Sequence, residues 1–331
     1  MLHFEPKDLP SPQVHRYLLG GVGPRPIALV STISPDGAVN LSPFSFFNAF
    51  GANPPIVAFS PARRGRDGSL KDTYANLVAT RECVVQAVTY AMVHQVSLAS
   101  ADYPPEVDEF VRSGLTPVPS DLVAPPRVKE SPFQMECRLR HMLELGGLPG
   151  SGNLAVCEVV KFHIAEDVIR DGVIVPDLID LVGRQSADYY VRAAGAAVFA
   201  VPKPRGRGIG VDSLPAFIRG SHLLSPSHLA RLAGVEAIPD PDAAVCAVEQ
   251  LAAPAPAETA GPGLEVSESA FFRFEQRGDY PAMLRAAVLL QRAGHPKAAA
   301  FIERAACAAL DRGDVSFAWN ALLYLGRLGR A

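Results

Sequence analysis

The sequence predicts an α+β protein with a β-rich N-terminal part and a mainly α-helical extension. Three observations carry this. Up to about Pro204, short apolar stretches alternate with Pro/Gly punctuation. From there on, apolar residues recur at helical spacing. Two Gly- or Pro-rich stretches, near 203–210 ("KPRGRGIG") and 253–263 ("APAPAETAGPG"), read as linkers. The expected division is a domain over residues 1–204 and a helical extension over 205–331.

Taken in order, "PIALVSTI" (26–33) reads as a strand and "SPDG" after it as a turn. "GAVNLSPF" (37–44), "PPIVAFSP" (54–61) and "CVVQAV" (83–88) read as further strands. In "QMECRLRHML" the residues Met135, Cys137, Leu139 and Leu143 fall at strand period, and in "NLAVCEVVKFHI" so do Leu154, Val156, Val160, Phe162 and Ile164. "GGLPGSG" between them suits a hairpin. Strands with short intervening helices favour a closed β-barrel over βαβ units.

In the extension, "YPAMLRAAVLLQRAG" carries Met283, Leu284, Ala287 and Leu290 on one helical face. "HPKAAAFIERAACAALDRG" predicts a second helix with Pro296 in its first turn, and "DVSFAWNALLYLGRLG" a third capped by Asp314. "SPSHLARLAGVEAIP" suggests a helix capped by Ser225 and stopped at Gly234. Pro239 and Pro241 then argue against a following recognition helix, and basic charge is scarce there.

Composition narrows the partners. Net charge is −3 over 331 residues, so neither nucleic acid nor a membrane surface is the expected main partner. The N-terminus shows no basic flank with an apolar run, and the five scattered cysteines contain no CxxC pair. They read as reduced, buried thiols of a cytoplasmic protein. "GRGIG" lacks the strand a dinucleotide fingerprint needs. His222 and His228 have no acidic or Cys companions at ligand spacing, so no metal site is expected.

Two stretches point to chemistry. In "LKDTYANLVATRE", Leu70, Tyr74, Leu77 and Val78 mark a helical face, which puts Lys71, Asp72 and Thr73 at its first turn. Free N–H groups, a Lys charge and a Thr hydroxyl there make an anion site, or else Asp72 and Thr73 merely cap the helix. In "NLSPFSFFNAFGANPPIVAFSP" (40–61), Phe44, Phe46, Phe47 and Phe50 cannot all face one core of an extended segment. Asn40, Ser42, Ser45 and Asn48 supply polar groups among them. A flat ring with apolar faces and a hydrogen-bonding edge fits this mixture; an aromatic core strand with turn-forming polar residues fits it too.

"RPIALVSTISPDGAVNLSPFSFFNAFGANPPIVAFSP", the "KDT" at Lys71, "EVVKFHI" at Glu158 and "VGRQSADYY" at Val182 together resemble the flavin reductase-like family. The four blocks span residues 15–200 in matching order. The resemblance implies an FMN-binding split barrel, usually dimeric, of the kind that serves two-component monooxygenases. It further implies NADH or NADPH as electron donor and a flavin or a monooxygenase partner as acceptor. By resemblance the ring meets Asn40, Leu41, Ser42, Ser45, Phe46, Phe47 and Asn48. The phosphate meets Ser60, Lys71 and Thr73, with Arg25 or Arg63 as helpers. Three departures are visible: "ARRGRDGSL" separates Ser60 from Lys71, Gln185, Ser186 and Ala187 stand where relatives often carry a Gly pair, and the helical extension after Pro204 is not part of the usual family plan.

His163 shares the Asn153 and Lys161 side of its strand by simple alternation. It either approaches a bound ring, as the one candidate catalytic group, or is satisfied by a carbonyl. Tyr189 and Tyr190 either cover the flavin or anchor a loop. The rival reading is a non-enzymatic flavin-binding protein whose helical extension is the working surface.

Overall fold

The computed structural model describes residues 1–104, 107–201, 203, 206–253 and 267–328. It divides into two compact units, Met1–Ala200 and Val201–Ala331. Pro204 and nearly all of the 253–263 linker lie outside the described residues.

The first unit is built on seven antiparallel strands: β1 (Ala28–Ile33), β2 (Val39–Phe44), β3 (Phe47–Ala52), β4 (Pro55–Phe59), β5 (Glu82–Ala87), β6 (Phe133–Glu144) and β7 (Asn153–Ile164). Their order across the sheet is β2-β1-β5-β6-β7-β4-β3. The coiled sheet encloses Val30, Phe44, Phe59, Cys83, Cys137 and Cys157 among others, and the wall is split between its outer strands β2 and β3. Phe44 and Phe59 pack with ring centroids 5.4 Å apart, their planes tilted by 30°.

Four helices matter in this unit: α1 (Ser11–Gly21), α2 (Asp72–Thr80), α3 (Val93–Leu98) and α4 (Glu109–Ser113). Helix α2 drives Leu77 into the barrel core. Helices α3 and α4 cover the outer face of β1 and β2, where Leu29 and Leu41 meet Val93, Val96 and Phe110. The short strands Arg25–Pro26, Val182–Arg184 and Tyr190–Arg192 form a separate three-stranded sheet.

The structure corrects the expected strand faces. A bulge lies between Val159 and Lys161, and a second irregularity between Val156 and Cys157 leaves Arg140 of β6 unpaired. One extra residue flips every side chain beyond it. In β7 the inward residues ahead of the bulge are Ala155, Cys157 and Val159 rather than Leu154, Val156 and Val160, and beyond it Phe162 and Ile164 are exposed. His163 consequently does not share a face with the buried Asn153. In β6, Met135, Cys137 and Leu139 point inward as expected, but Leu143 is exposed. Strand β3 follows a stretch that alternation alone does not mark; the cis Asn53–Pro54 turn pairs it with β4.

The second unit contains α5 (Pro226–Ala233), α6 (Pro241–Leu251), α7 (Glu268–Arg277), α8 (Tyr280–Arg292), α9 (Ala298–Asp311) and α10 (Val315–Leu328). Met283, Leu284, Ala287 and Leu290 are buried together with Phe301, Ile302 and Trp319. Trp319 is fully enclosed and its Nε1–H donates to Leu232 O at 3.2 Å. Asp314 accepts from Phe317 N at 3.0 Å, as its capping role requires. Ser225 and His228 close a reciprocal capping box. Helix α9 starts at Ala298, so Pro296 precedes its first turn. Helix α6 overturns the reading of Pro241 as an obstacle: proline is well tolerated at the first helical position, and the Asp240 side chain accepts from Asp242 N. With Asp242 and Glu249 on it, α6 has no basic face for nucleic acid.

All five cysteines are free. Cys83, Cys137 and Cys157 are buried, but Cys246 is exposed and Cys307 half-buried, against the expectation of uniformly buried thiols. Among the described residues no helix is long and apolar enough to cross a membrane.

Candidate functional site

Helix α2 begins at Asp72 with no side-chain cap, Lys71 preceding it in extended conformation. Its free first-turn N–H groups open on a cleft of about 340 Å³. Asn40, Ser42, Lys71 and Thr73 line this cleft together with Arg63, Arg64, Arg66, Ser100 and Glu109.

Lys71 is half-buried and makes no ion pair among the described residues. Its Nζ lies 5.3 Å from the Phe44 ring centroid. Burial, then the neighbouring Arg64 charge, pull its pKa below the ordinary lysine value. Such a cation lacks only an anion. Arg63 is held by Glu144 Oε2 at 3.0 Å and by Gly68 O at 3.2 Å, yet its buried Nε has no partner among the described residues.

Behind these cations sits a buried polar lattice. Thr73 Oγ1 donates to Asn40 Oδ1 at 2.8 Å, and Asn40 Nδ2 donates to Glu109 Oε1 at 3.1 Å. Leu41 N donates to Glu109 Oε2 at 3.0 Å, and Asn76 Nδ2 to Thr32 Oγ1 at 3.1 Å. Burial pushes the Glu109 carboxyl above its ordinary value, although the Leu41 N–H and the Asn40 amide oppose this. The lattice fixes Asn40 and Thr73 on the cleft wall.

A second cavity of about 290 Å³ shares Ser100 with the first. It is lined by Ile27, Pro43, Ser45, Ser97, Arg184 and Tyr190, among others. The Arg184 guanidinium lies 4.6 Å over the Tyr190 ring.

The expected site residues therefore do not all converge. Asn40, Ser42, Lys71 and Thr73 meet in the cleft, and Ser45 lies in the cavity beside it. Phe47 and Asn48 line a different, apolar hollow of about 320 Å³ with Phe133, Val159 and Phe162. The Leu41 side chain is buried on the opposite face of β2, and its N–H is taken by Glu109. Phe46 is exposed, edge-on to His15 with centroids 6.3 Å apart. Ser60 is half-buried, its N–H bonded to Phe46 O at 2.9 Å, and it lines neither polar cavity. Arg25 is committed elsewhere: its guanidinium donates to Leu19 O, Val22 O and Gln185 O and to Ser45 Oγ, tying α1 to the 185 loop. Of the two tyrosines, Tyr190 lines the second cavity and Tyr189 is 72% exposed.

His163 lines neither polar cavity. Its Nε2 lies 2.6 Å from Oε1 of the fully buried Glu136. Burial alone would raise the Glu136 carboxyl, but the Asp121 N–H, His163 and the Leu122 N–H together hold it below the ordinary value. Asp121, Glu136 and His163 place one ligand atom each within 4.8 Å of one another. Lys161 already pairs with Asp121, and Glu136 is spent on its two N–H donors and His163, so the trio holds the 119–128 loop against the sheet.

Sequence reasoning missed Arg64, Arg66, Ser100, Glu109 and Arg184. The basic run in "ARRGRDGSL" was the available signal for the first two. Nothing local marks the others, which reach the site by the packing of α3, α4 and the small sheet.

The flavin reductase like domain matches residues 21–180 of the chain. An uncharacterized protein of Halalkalibacterium halodurans is 36% identical over 191 residues, which is 57% of this chain and 91% of that protein. The crystal structure of nitrilotriacetate monooxygenase component B from Bacillus cereus superposes with a TM-score of 0.57 at 30% identity, covering 61% of this chain and 98% of that one. That of Pseudomonas fluorescens 2-nitrobenzoate 2-nitroreductase gives 0.53 at 26% identity, covering 61% and 96%.

Proposed function

The chain belongs to the flavin reductase-like family, and from that premise we propose that its first unit binds FMN, accepts hydride from NADH or NADPH, and delivers electrons to free flavin or to a partner acceptor. The observation that carries this reading is Lys71: a half-buried cation with no ion pair among the described residues, beside an uncapped helix start and an orphaned Arg63 Nε. A phosphate monoester is the ligand such donors lack.

The residues present fit the cofactor. Lys71 and the first N–H groups of α2 would hold the phosphate, with Arg63 turning its free Nε toward it. Thr73 acts differently from expectation, because its hydroxyl proton already goes to Asn40; its contribution would come through the backbone. Ser42 and Ser45 lie along the route from the cleft to the second cavity, where Tyr190 and Arg184 would border the ring. Leu41 would serve as the rigid back of that wall, and Ser60 and Phe46 would brace the turn after β2. Bound FMN supplies the two-electron chemistry; the protein binds, orients and shields it, so no general acid or base is assigned, His163 included.

The apolar hollow with Phe47, Asn48 and Phe162 would be covered by a second copy of the chain, giving a homodimer. Residues 205–331 would be a separate helical module that engages a partner such as a monooxygenase, in the cytoplasm. The test is an absorbance spectrum of the purified protein, before and after anaerobic NADH or NADPH. A yellow protein bleached by either supports the enzyme. Yellow protein that neither nucleotide bleaches favours a flavin-binding protein without turnover. Failure to take up FMN on titration sinks both.

A further inference from the structure

The cleft contains more cation than one phosphate needs, and the surplus is already neutralised from an unexpected direction. Arg64 and Arg66 follow the turn after β4, in the 62–70 loop. Their shared counter-ion, Asp102, comes from the tail of α3: Oδ1 lies 3.0 Å from Arg64 Nε and Oδ2 lies 3.5 Å from Arg66 Nη2. One carboxylate thus bridges two guanidiniums, one oxygen to each, the geometry in which a phosphate monoester would bridge them. Asp102 also lines the cleft, and its charge is one of those favouring the protonated form of Lys71.

The other carboxylates around these cations are anchored. Asp72, 3.4 Å from Arg64 Nη2, stands in the first turn of α2; Asp67, 3.5 Å from Arg66 Nη2, accepts from Ser69 N and Oγ; and Glu144, on Arg63, also accepts the Tyr74 hydroxyl at 2.7 Å. Among the described residues Asp102 has only Arg64 and Arg66 as ion-pair partners, and its side chain is 53% exposed. Among the described residues the backbone around it makes local turn bonds, Ala101 N to Leu98 O and Tyr103 N to Ala101 O.

We propose that Asp102 is a placeholder anion: in the free protein it occupies the Arg64 and Arg66 positions that a bound phosphate monoester takes, and phosphate entry exchanges one for the other. The identity of that phosphate as the tail of FMN rests on the reading above; the exchange itself does not. Every phosphate that binds displaces a carboxylate, so the resting cleft is less attractive to stray anions, and affinity is set partly by a residue that holds nothing in the complex.

A structural residue loses affinity when changed; a placeholder gains it. Asp102→Asn keeps the size of the side chain and removes its charge. It is expected to tighten FMN about 3- to 10-fold, the range two partly exposed ion pairs allow. It should tighten inorganic phosphate similarly, followed by ³¹P NMR, and leave riboflavin unchanged. Asp171→Asn, which removes the same charge from an exposed turn where φ is +51°, should change none of the three. Unchanged or weaker FMN binding in Asp102→Asn overturns the exchange while leaving wild-type flavin binding intact. So does an equal gain from Asp171→Asn, which would reduce the effect to net charge. Phosphate tightening in a protein that ignores flavins supports the exchange and rejects the flavin reading. No affinity for any phosphate in either form rejects both.

Discussion

Lys71→Met separates a ligand-holding lysine from a structural one, because the two roles predict opposite effects on the free protein. Wild-type Lys71 is half-buried, has no ion pair among the described residues, and has its pKa lowered by burial and by Arg64. Methionine keeps an apolar stem of similar length and removes the charge, together with its approach to the Phe44 ring. The free variant should therefore be as stable as wild type or more so. The pH dependence has a definite sign. In the window between the lowered folded pKa and the unfolded value of about 10.4, the unfolded chain binds more protons than the folded one, so wild-type stability rises with pH. Lys71→Met lacks this rise, and its advantage should be largest near neutrality and close toward pH about 10.4. FMN binding should move the other way. A charge-assisted contact is worth roughly 1.5–3 kcal/mol, or about one to two decades in Kd, whereas riboflavin should lose little. Urea titrations across pH, with fluorescence titration of both flavins, measure all of this. Equal losses for FMN and riboflavin, or a clearly destabilised free protein, would refute the reasoning.

Three further outcomes are expected. His163→Gln should lower stability by about 1–3 kcal/mol by weakening the hold on Glu136 and its loop, while the rate of bleaching by NAD(P)H stays within about twofold; a loss of turnover at full stability would restore a catalytic role. Glu109→Gln should cost about 1–3 kcal/mol at pH 7, since Leu41 N and Asn40 Nδ2 reach separate carboxylate oxygens and the glutamine NH2 would face one of these donors. It should also abolish the fall in stability that wild type shows as pH rises from about 4.3 through the raised Glu109 pKa, and a wild type without that fall argues against a buried carboxylate. A chain ending at Lys203 should remain folded, dimeric and able to take up FMN, checked by light scattering and absorbance; insolubility would mean that the helical unit completes the barrel core.

Much of the fold was legible because it is written in local signals. The β1–β2 turn at Ser34–Gly37, the start of α2 and the Asp314 and Ser225 caps each depend on residues within one turn of each other. The inward face of β6 is misread only beyond its irregularity at Arg140, which is decided by the partner strand rather than by the strand that carries it, whereas in β7 Ala155 and Cys157, not Leu154 and Val156, point inward from the start. The site divides in the same way. Lys71 and Thr73 announce themselves as a helix start, and Asn40 and Ser42 as polar residues in an aromatic stretch. Glu109, Asp102 and Ser100 carry no local pattern; only the packing of α3 and α4 against β2 brings them there.

Helix α2 would also link ligand retention to endurance. Its first turn faces the cleft, Leu77 seals the barrel core, Asn76 bonds Thr32 of β1, and the Arg81 guanidinium beyond its C-terminus donates to Leu139 O of β6. A ligand gripping the first turn thus holds a plug whose other contacts bind the wall together. Ligand at a hundred times its Kd adds about 2.7 kcal/mol to the resistance against unfolding. Much of that resistance should be felt at this one helix. During storage, dilution or passage over a column, loss of flavin and nicking of the 62–70 loop by proteases should proceed together, and added FMN should slow both in proportion.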